Sequence, residues 1–195
     1  MPALIALVFG YLLGSVDFAV LVARARGVDI YAVGSGNPGT SNVLRSVGKK
    51  AAALVLVGDL LKGLAAAAFG VWIGEVTAGY LAGLGAVVGH VFPVWHRFKG
   101  GRGVATSIGA IVWLSPIWGA MVAVSWMGVV AVTKTASIAS IVAMVLLVPG
   151  LLVFGARGID LLIAGVMALL VLARHAPNIR RLLSGEEQLL TTEQG

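Results

Sequence analysis

Long apolar runs recur along this chain, at Ala3–Ala23, Ala51–Ile73, Ala78–Trp95, Ser137–Phe154 and Ile159–Ala173. Most approach the roughly 20 residues that a helix needs to cross a ~30 Å hydrocarbon layer. A backbone inside hydrocarbon must satisfy its own amides, so these runs are expected as helices, and the fold class as an all-α integral membrane protein. Composition agrees, with 59% of residues hydrophobic and only 11% charged, far from the balance of a soluble domain. A length of 195 residues suits one bundle with short loops. Residues 1–195 are therefore expected as a single transmembrane domain ending in a tail at about 176–195. The first run lacks the basic leader of a cleaved signal and is expected to stay. With no cysteine, disulfides, a thiolate nucleophile and thiolate metal sites are excluded. The net charge of +6 could suit nucleic acid, but the cations sit between apolar runs, where they orient helices and meet anionic head groups. Membrane lipids are the expected surroundings, with no nucleic acid and no obligatory protein partner.

Val104 to Val132 can be read as one long helix, giving six spans, or as two spans broken at Ser115-Pro116, giving seven. Loop charge decides between them. With seven spans, Arg24, Arg26, Arg45, Lys49, Lys50, Arg97, Lys99, Arg102, Lys134, Arg174, Arg180 and Arg181 share one face, and only Arg157 lies opposite. With six, the division is nine against four. A seven-helix bundle is expected, with the N-terminus outside and the C-terminus and glycine-rich loops cytoplasmic, in the plasma membrane. Val104–Leu114 is short for a crossing and is expected to be tilted or partly re-entrant.

Between the first two runs lies GSGNPGTSNVLR, from Gly34 to Arg45. Gly34, Gly36, Gly39 and Pro38 oppose a regular helix and are expected to leave amide N–H groups free for an anion. Ser35, Thr40, Ser41 and Asn42 add neutral donors, and Arg45 a charged fork suited to phosphate. A second polar cluster ends the third run: His96, Arg97, Lys99 and Arg102 surround Gly100, Gly101 and Gly103, and an apolar helix starts at Val104. Such a turn is an anion site if its N–H groups and helix dipole face a ligand, and otherwise a basic loop. The tail brings His175, Asn178, Arg180 and Arg181 to the same face.

Three charged residues lie well inside apolar runs, away from their first residues. Asp17 is either functional or close enough to a helix end to reach water. Asp59 and Lys62, three apart on one helical face, form either a structural ion pair or a pair that orients the glycine loop or meets the substrate. Gly34 to Gly39 satisfies GxGxxG, and Asp59 follows twenty residues later, but an acid inside a membrane-length run excludes a βαβ nucleotide fold. The GK[ST] ending of a P-loop, HExxH and HxxxxD are all missing. The histidines are scattered, so neither a metal nor a cofactor is expected.

GSGNPGTSNVLR, GDLLKG (58–63), GHVFPVWHRFKGGRGVATS (89–107) and RHAPNIRRLLSG (174–185), in that order, resemble the bacterial membrane acyl-phosphate:glycerol-3-phosphate acyltransferase family across nearly the whole chain. The resemblance implies a seven-helix bundle that moves a fatty acyl group from acyl phosphate to the 1-hydroxyl of glycerol 3-phosphate, giving lysophosphatidic acid and phosphate. It implies catalytic roles for Ser35, Arg45, Arg102, His175 and Asn178. Substrate contacts are implied for Gly34, Gly36, Asn37, Gly39, Thr40, Asn42, Lys99, Gly100, Gly101 and Gly103, and for Ser137 or Ser140. Arg102 stands where many relatives have Lys. Asp17 and Ala19 stand where relatives usually have Pro and Gly. Two other readings are a small membrane transporter, which requires polar groups along a route from both faces, and an inactive paralogue that binds lipid phosphate.

Overall fold

The first apolar run does not stay one helix. In this computed structural model, which describes residues 1–190, α1 (Pro2–Gly14) and α2 (Phe18–Arg24) are separated by a break at Ser15–Asp17. The cause is local. Ser15 Oγ donates back to the Tyr11 carbonyl at 2.8 Å, and the Asp17 carboxylate accepts from Val20 N–H at 3.1 Å as the cap of α2. Asp17 is thus a buried helix cap, 4% exposed, and does not reach water. The last five residues of the 176–195 tail lie outside the described residues.

A loop and the short α3 (Thr40–Ser46) lead into α4, Lys49–Val91, where Gly74 and Glu75 leave helical backbone. Residues 70 and 78 would stand about 12 Å apart along a straight helix, yet a methyl on Gly70 would strike the Ala78 carbonyl. So α4 is a hairpin with arms 49–73 and 76–91, turning at Gly74 and Glu75 in the gap between the second and third apolar runs. Then follow α5 (Val104–Leu114), α6 (Pro116–Thr133), α7 (Ala136–Val153), α8 (Gly158–Arg174) and α9 (Ala176–Ser184). The expected break falls at Ser115, with Pro116 starting α6 where its missing N–H costs nothing.

Four helical stretches, Pro2–Arg24, Lys49–His96, Pro116–Thr133 and Ala136–Val153, are long and apolar enough to cross a membrane. α8 joins them as a fifth if taken with α9, from which it bends by 50°. The protein is therefore a multi-pass membrane protein, and no strand occurs among the described residues. At 11 residues, α5 rises only about 16 Å.

Helices already in lipid gain little by hiding apolar side chains from water, so close backbone packing holds them together. Gly10 and Gly14 of α1 rest on the backbone of Ala82 and Ala86 in α4, while Gly85 and Gly89 of α4 rest on Leu7 and Tyr11 in α1. Gly63 meets Thr106 and Gly109 meets Leu60, joining α4 to α5 in the same way. Larger side chains fill the space among α4, α5, α7 and α8, including Val87, Ile111, Met144, Leu147, Met167 and Val171.

One end of the bundle collects the polar segments. Tyr31 Oη donates to the Lys99 carbonyl at 2.7 Å, Arg174 to the Gly100 carbonyl at 3.3 Å, and Leu190 N–H to the Lys134 carbonyl at 2.8 Å. The opposite end carries the N-terminus, since Gly74 packs against Pro2.

Candidate functional site

Asn42 builds the first glycine loop. Its Nδ2 donates to the carbonyls of Ile30 (3.2 Å) and Val33 (3.1 Å), and its Oδ1 accepts from Ser35 N–H at 3.0 Å. Gly34 has φ +56°, and a side chain there would strike Asn42 Oδ1 and Ser46 Oγ. Asn42 was expected to bind substrate. It does face the cavity, and its side-chain groups also hold the loop.

The cavity enclosed by this loop is about 270 Å³ and has two chemically different walls. Ser35, Asn37, Gly39, Thr40, Ser41 and Arg45 form the polar wall from the first loop; Arg102, Gly103, Ser137, Ser140 and His175 close it from other segments. Leu56, Leu60, Val104, Ile108, Ala123, Trp126 and Met127 make the apolar wall, which runs between α4, α5 and α6. A second, more open polar recess shares Ser35, Asn37 and Arg102 and adds Tyr31, Gly36, Lys99, Gly100, Arg174 and Arg181. Among the described residues, four cations and no carboxylate line it.

Between Ser137 and Ser140 the geometry distinguishes. Ser140 Oγ donates to the Ala136 carbonyl at 2.7 Å and accepts from Trp126 Nε1 at 3.1 Å. Ser137 Oγ is buried beside the Glu187 carboxylate without a well-formed hydrogen bond, so its hydroxyl is the freer of the two.

The second glycine turn departs from the expected cradle. Gly100 N–H donates to the Val91 carbonyl (3.2 Å) and Gly101 N–H to the His90 carbonyl (3.1 Å), so neither amide is free for an anion. Gly101 lines neither recess, packed between the His90 ring and the Pro38 carbonyl. Gly103 has φ +88° and lets α5 begin at the cavity edge, with Val104 and Ala105 along the wall. Gly34 and Lys62 also stay out of both recesses.

Burial pulls the Arg102 guanidinium down to about 10, helped by Arg181, Arg174 and Arg45 and opposed by Glu187. Burial lowers Arg45 too. Both stay charged near neutral pH, and a dianion entering among them relieves their mutual repulsion. Burial likewise pushes His175 down to about 4, with Arg102 and Arg174 adding to the shift against the Val171 hydrogen bond. His175 sits at the joint of α8 and α9, 2% exposed, with Nδ1 2.8 Å from the Val171 carbonyl. A carbonyl only accepts, so Nδ1 carries the proton and Nε2 keeps a lone pair.

Asn178 is not brought to the cavity. It is 2% exposed and donates to Glu187 Oε1, and Arg181 Nε reaches Glu187 Oε2 at 2.7 Å. Burial alone would raise the Glu187 carboxyl, but these partners hold it below the usual carboxylate range. Glu187 thus fastens the tail over the site.

His90 is the site residue that motif reading passed over. It lines the cavity at 7% exposure, with Nδ1 3.4 Å from Asp59 Oδ1. Asp59 in turn is 2.8 Å from Lys62 Nζ, which also donates to the Val16 carbonyl at 2.8 Å. Asp59 and His90 lie equally far on either side of the Gly74–Glu75 turn, and recognising a hairpin there would have paired them. Among the described residues no group of three or more His, Cys, Asp or Glu is placed to hold a metal ion.

Fold and site together define a multi-pass membrane protein in which a basic polar pocket at one end of the bundle continues into an apolar groove. Comparison with known proteins narrows that class. The family model for glycerol-3-phosphate acyltransferase matches residues 4–185, and the chain belongs to that family. A glycerol-3-phosphate acyltransferase of Sinorhizobium medicae (strain WSM419) is 45% identical over 189 residues, covering 96% of this chain and 92% of that protein. Its namesake in Brucella suis biovar 1 is 42% identical over 183 residues, covering 93% and 90%. Among solved structures, PlsY (YgiH), an integral membrane glycerol 3-phosphate acyltransferase, matches in its glycerol 3-phosphate form with TM-score 0.92 and 39% identity, covering 97% of this chain and 96% of that one. The lysophosphatidic acid form matches with TM-score 0.89 and 38% identity, covering 97% and 95%.

Proposed function

We propose that this chain transfers a fatty acyl group from acyl phosphate to the 1-hydroxyl of glycerol 3-phosphate, giving lysophosphatidic acid and inorganic phosphate. The observation that carries this reading is one cavity with Arg45 and Arg102 on one wall and the Leu56–Trp126 apolar groove on the other. A substrate with a phosphate at one end and an alkyl chain at the other fits both walls at once. The more open recess, with Lys99, Arg102, Arg174 and Arg181, is the entrance for the small dianion.

Acyl phosphate is already activated, so no covalent acyl-enzyme is needed. The hydroxyl oxygen attacks the acyl carbon, the bond from that carbon to the phosphate oxygen breaks, and phosphate leaves with the electron pair. Arg45, Arg102 and the Ser35 hydroxyl neutralise and hold the leaving phosphate; aligning two bound reactants supplies much of the remaining acceleration. The attacking hydroxyl passes its proton to a substrate phosphate oxygen. His175 Nε2 can accept a hydrogen bond from glycerol phosphate, but a conjugate acid near 4 makes it a weak base at neutral pH. Asn178 acts by fixing Glu187 and the tail.

We place the whole chain in one domain with seven crossings, counting both arms of α4 and the short α5. Its cation-rich end and C-terminus lie in the cytoplasm of a bacterial plasma membrane, and the N-terminus outside. The polar lining belongs to one end of the bundle, which favours an enzyme over a transporter; turnover separates the enzyme from an inactive binder. The test is purified protein with glycerol 3-phosphate and either palmitoyl phosphate or palmitoyl coenzyme A. Product from the phosphate alone supports the donor assignment, and equal product from the thioester overturns it.

A further inference from the structure

Inside the bundle, beneath the loops, Lys62, Asp59 and His90 form a buried row that the proposed chemistry does not use. Asp59 is 2% exposed, Lys62 3% and His90 7%. Each has a fixed neighbour: Lys62 is tied to the break between α1 and α2 through the Val16 carbonyl, and Asp59 lies within ion-pair distance of both Lys62 and His90. Burying charges costs free energy unless they are paired, so this row persists only in a fixed arrangement.

The row ends against the second glycine turn. His90 Nε2 faces Gly101 so closely that a methyl group there would collide with the ring. The backbone beneath the ring reinforces the contact, because the His90 and Val91 carbonyls accept the Gly101 and Gly100 N–H groups at 3.1 and 3.2 Å. The same methyl would also strike the Pro38 carbonyl of the first loop. Arg102 is the next residue, and it enters both recesses.

We propose that His90 is a positioning residue for acyl transfer: its ring, oriented by Asp59 and Lys62, is the platform that sets where Arg102 enters the cavity. This rests on the reading that Arg102 meets a substrate phosphate. Asp59 Oδ1 stands 3.4 Å from the ring's Nδ1 on the side away from the turn, and Gly101 is glycine because only hydrogen fits between the ring and the first loop. A shift of about 1 Å in a positioned group costs on the order of 100-fold in rate, so loss of the platform should register strongly.

The test is a double-mutant cycle on the full chain in detergent, with palmitoyl phosphate and glycerol 3-phosphate, measuring kcat and KM for each substrate. His90→Ala and Arg102→Met should each lower kcat/KM by about 100-fold. Because both act through one guanidinium, the double variant should be no worse than Arg102→Met alone. His90→Phe, which keeps a ring but not the Asp59 contact, should recover part of the loss in the Arg102 background only. Multiplying losses in the double variant, or full activity in His90→Ala, would overturn the proposal. If His90→Ala fails to fold, His90→Gln is carried through the same cycle with the same two outcomes. Failure of the underlying reading looks different: the unmodified protein makes no lysophosphatidic acid, or Arg102→Met alone leaves kcat/KM unchanged.

Discussion

Acidification should destabilise this protein through His175 by an amount that its surroundings set. The imidazole is 2% exposed and pushed from 6.5 to about 4. A depressed folded-state value means that the unfolded chain takes up the proton first as pH falls. Stability is therefore flat above about 6.5 and declines between about 6.5 and about 4. At about 1.4 kcal/mol per pKa unit the full shift corresponds to roughly 3 kcal/mol, of which roughly 2.5 is lost by about pH 4.5. The assay is equilibrium unfolding of detergent-solubilised protein at pH 7.5 and pH 4.5, comparing wild type with His175→Gln. Carboxylates titrate in both proteins, so the difference between their pH dependences isolates His175. Wild type should lose roughly 2.5 kcal/mol more than the variant over that interval. Equal pH dependence in the two proteins, or an imidazole that titrates near 6.5 by NMR, would refute the argument.

Other expectations follow from the same geometry. Gly14→Leu forces a side chain into the Ala86 backbone and should cost about 1–3 kcal/mol or more of stability, read as a lower unfolding midpoint; an unchanged midpoint contradicts the α1–α4 contact. Ala123→Phe, on the apolar wall, should lower kcat/KM for palmitoyl phosphate about tenfold while sparing a short-chain acyl phosphate, and equal losses would move the alkyl chain elsewhere. Arg102→Lys keeps charge but loses the planar fork, so KM for the phosphate substrates should rise about tenfold, whereas unchanged KM would take the guanidinium away from phosphate. His175→Asn should weaken glycerol 3-phosphate binding while kcat stays within about tenfold. A kcat loss of about 100-fold or more would make His175 the base.

Reversals were the most legible part of the fold, because they depend on local residues: Gly74-Glu75 and Ser115-Pro116 punctuate the apolar runs, and the chain turns or breaks at both. The break at Asp17 escaped notice, since capping by an acid inside an apolar run depends on where Val20 N–H points. Ser35, Arg45, Arg102 and His175 were visible in the motifs, and they meet in one cavity. Motifs did not reveal how the amides would be used. Gly100 and Gly101 look like anion donors until the His90 and Val91 carbonyls are seen to occupy them, and the contact between Asn178 and Glu187 is written in no motif. His90 required a long-range pairing across the α4 hairpin, which no single motif contains.

The central claim is tested most directly by incubating purified protein with palmitoyl phosphate and glycerol 3-phosphate and following phosphate release and lysophosphatidic acid together, beside Arg45→Ala. One phosphate released per lysophosphatidic acid formed, with both abolished by the substitution, is the predicted result. Folded protein that binds glycerol 3-phosphate without forming either product would contradict the account and make this chain a lipid-phosphate binder.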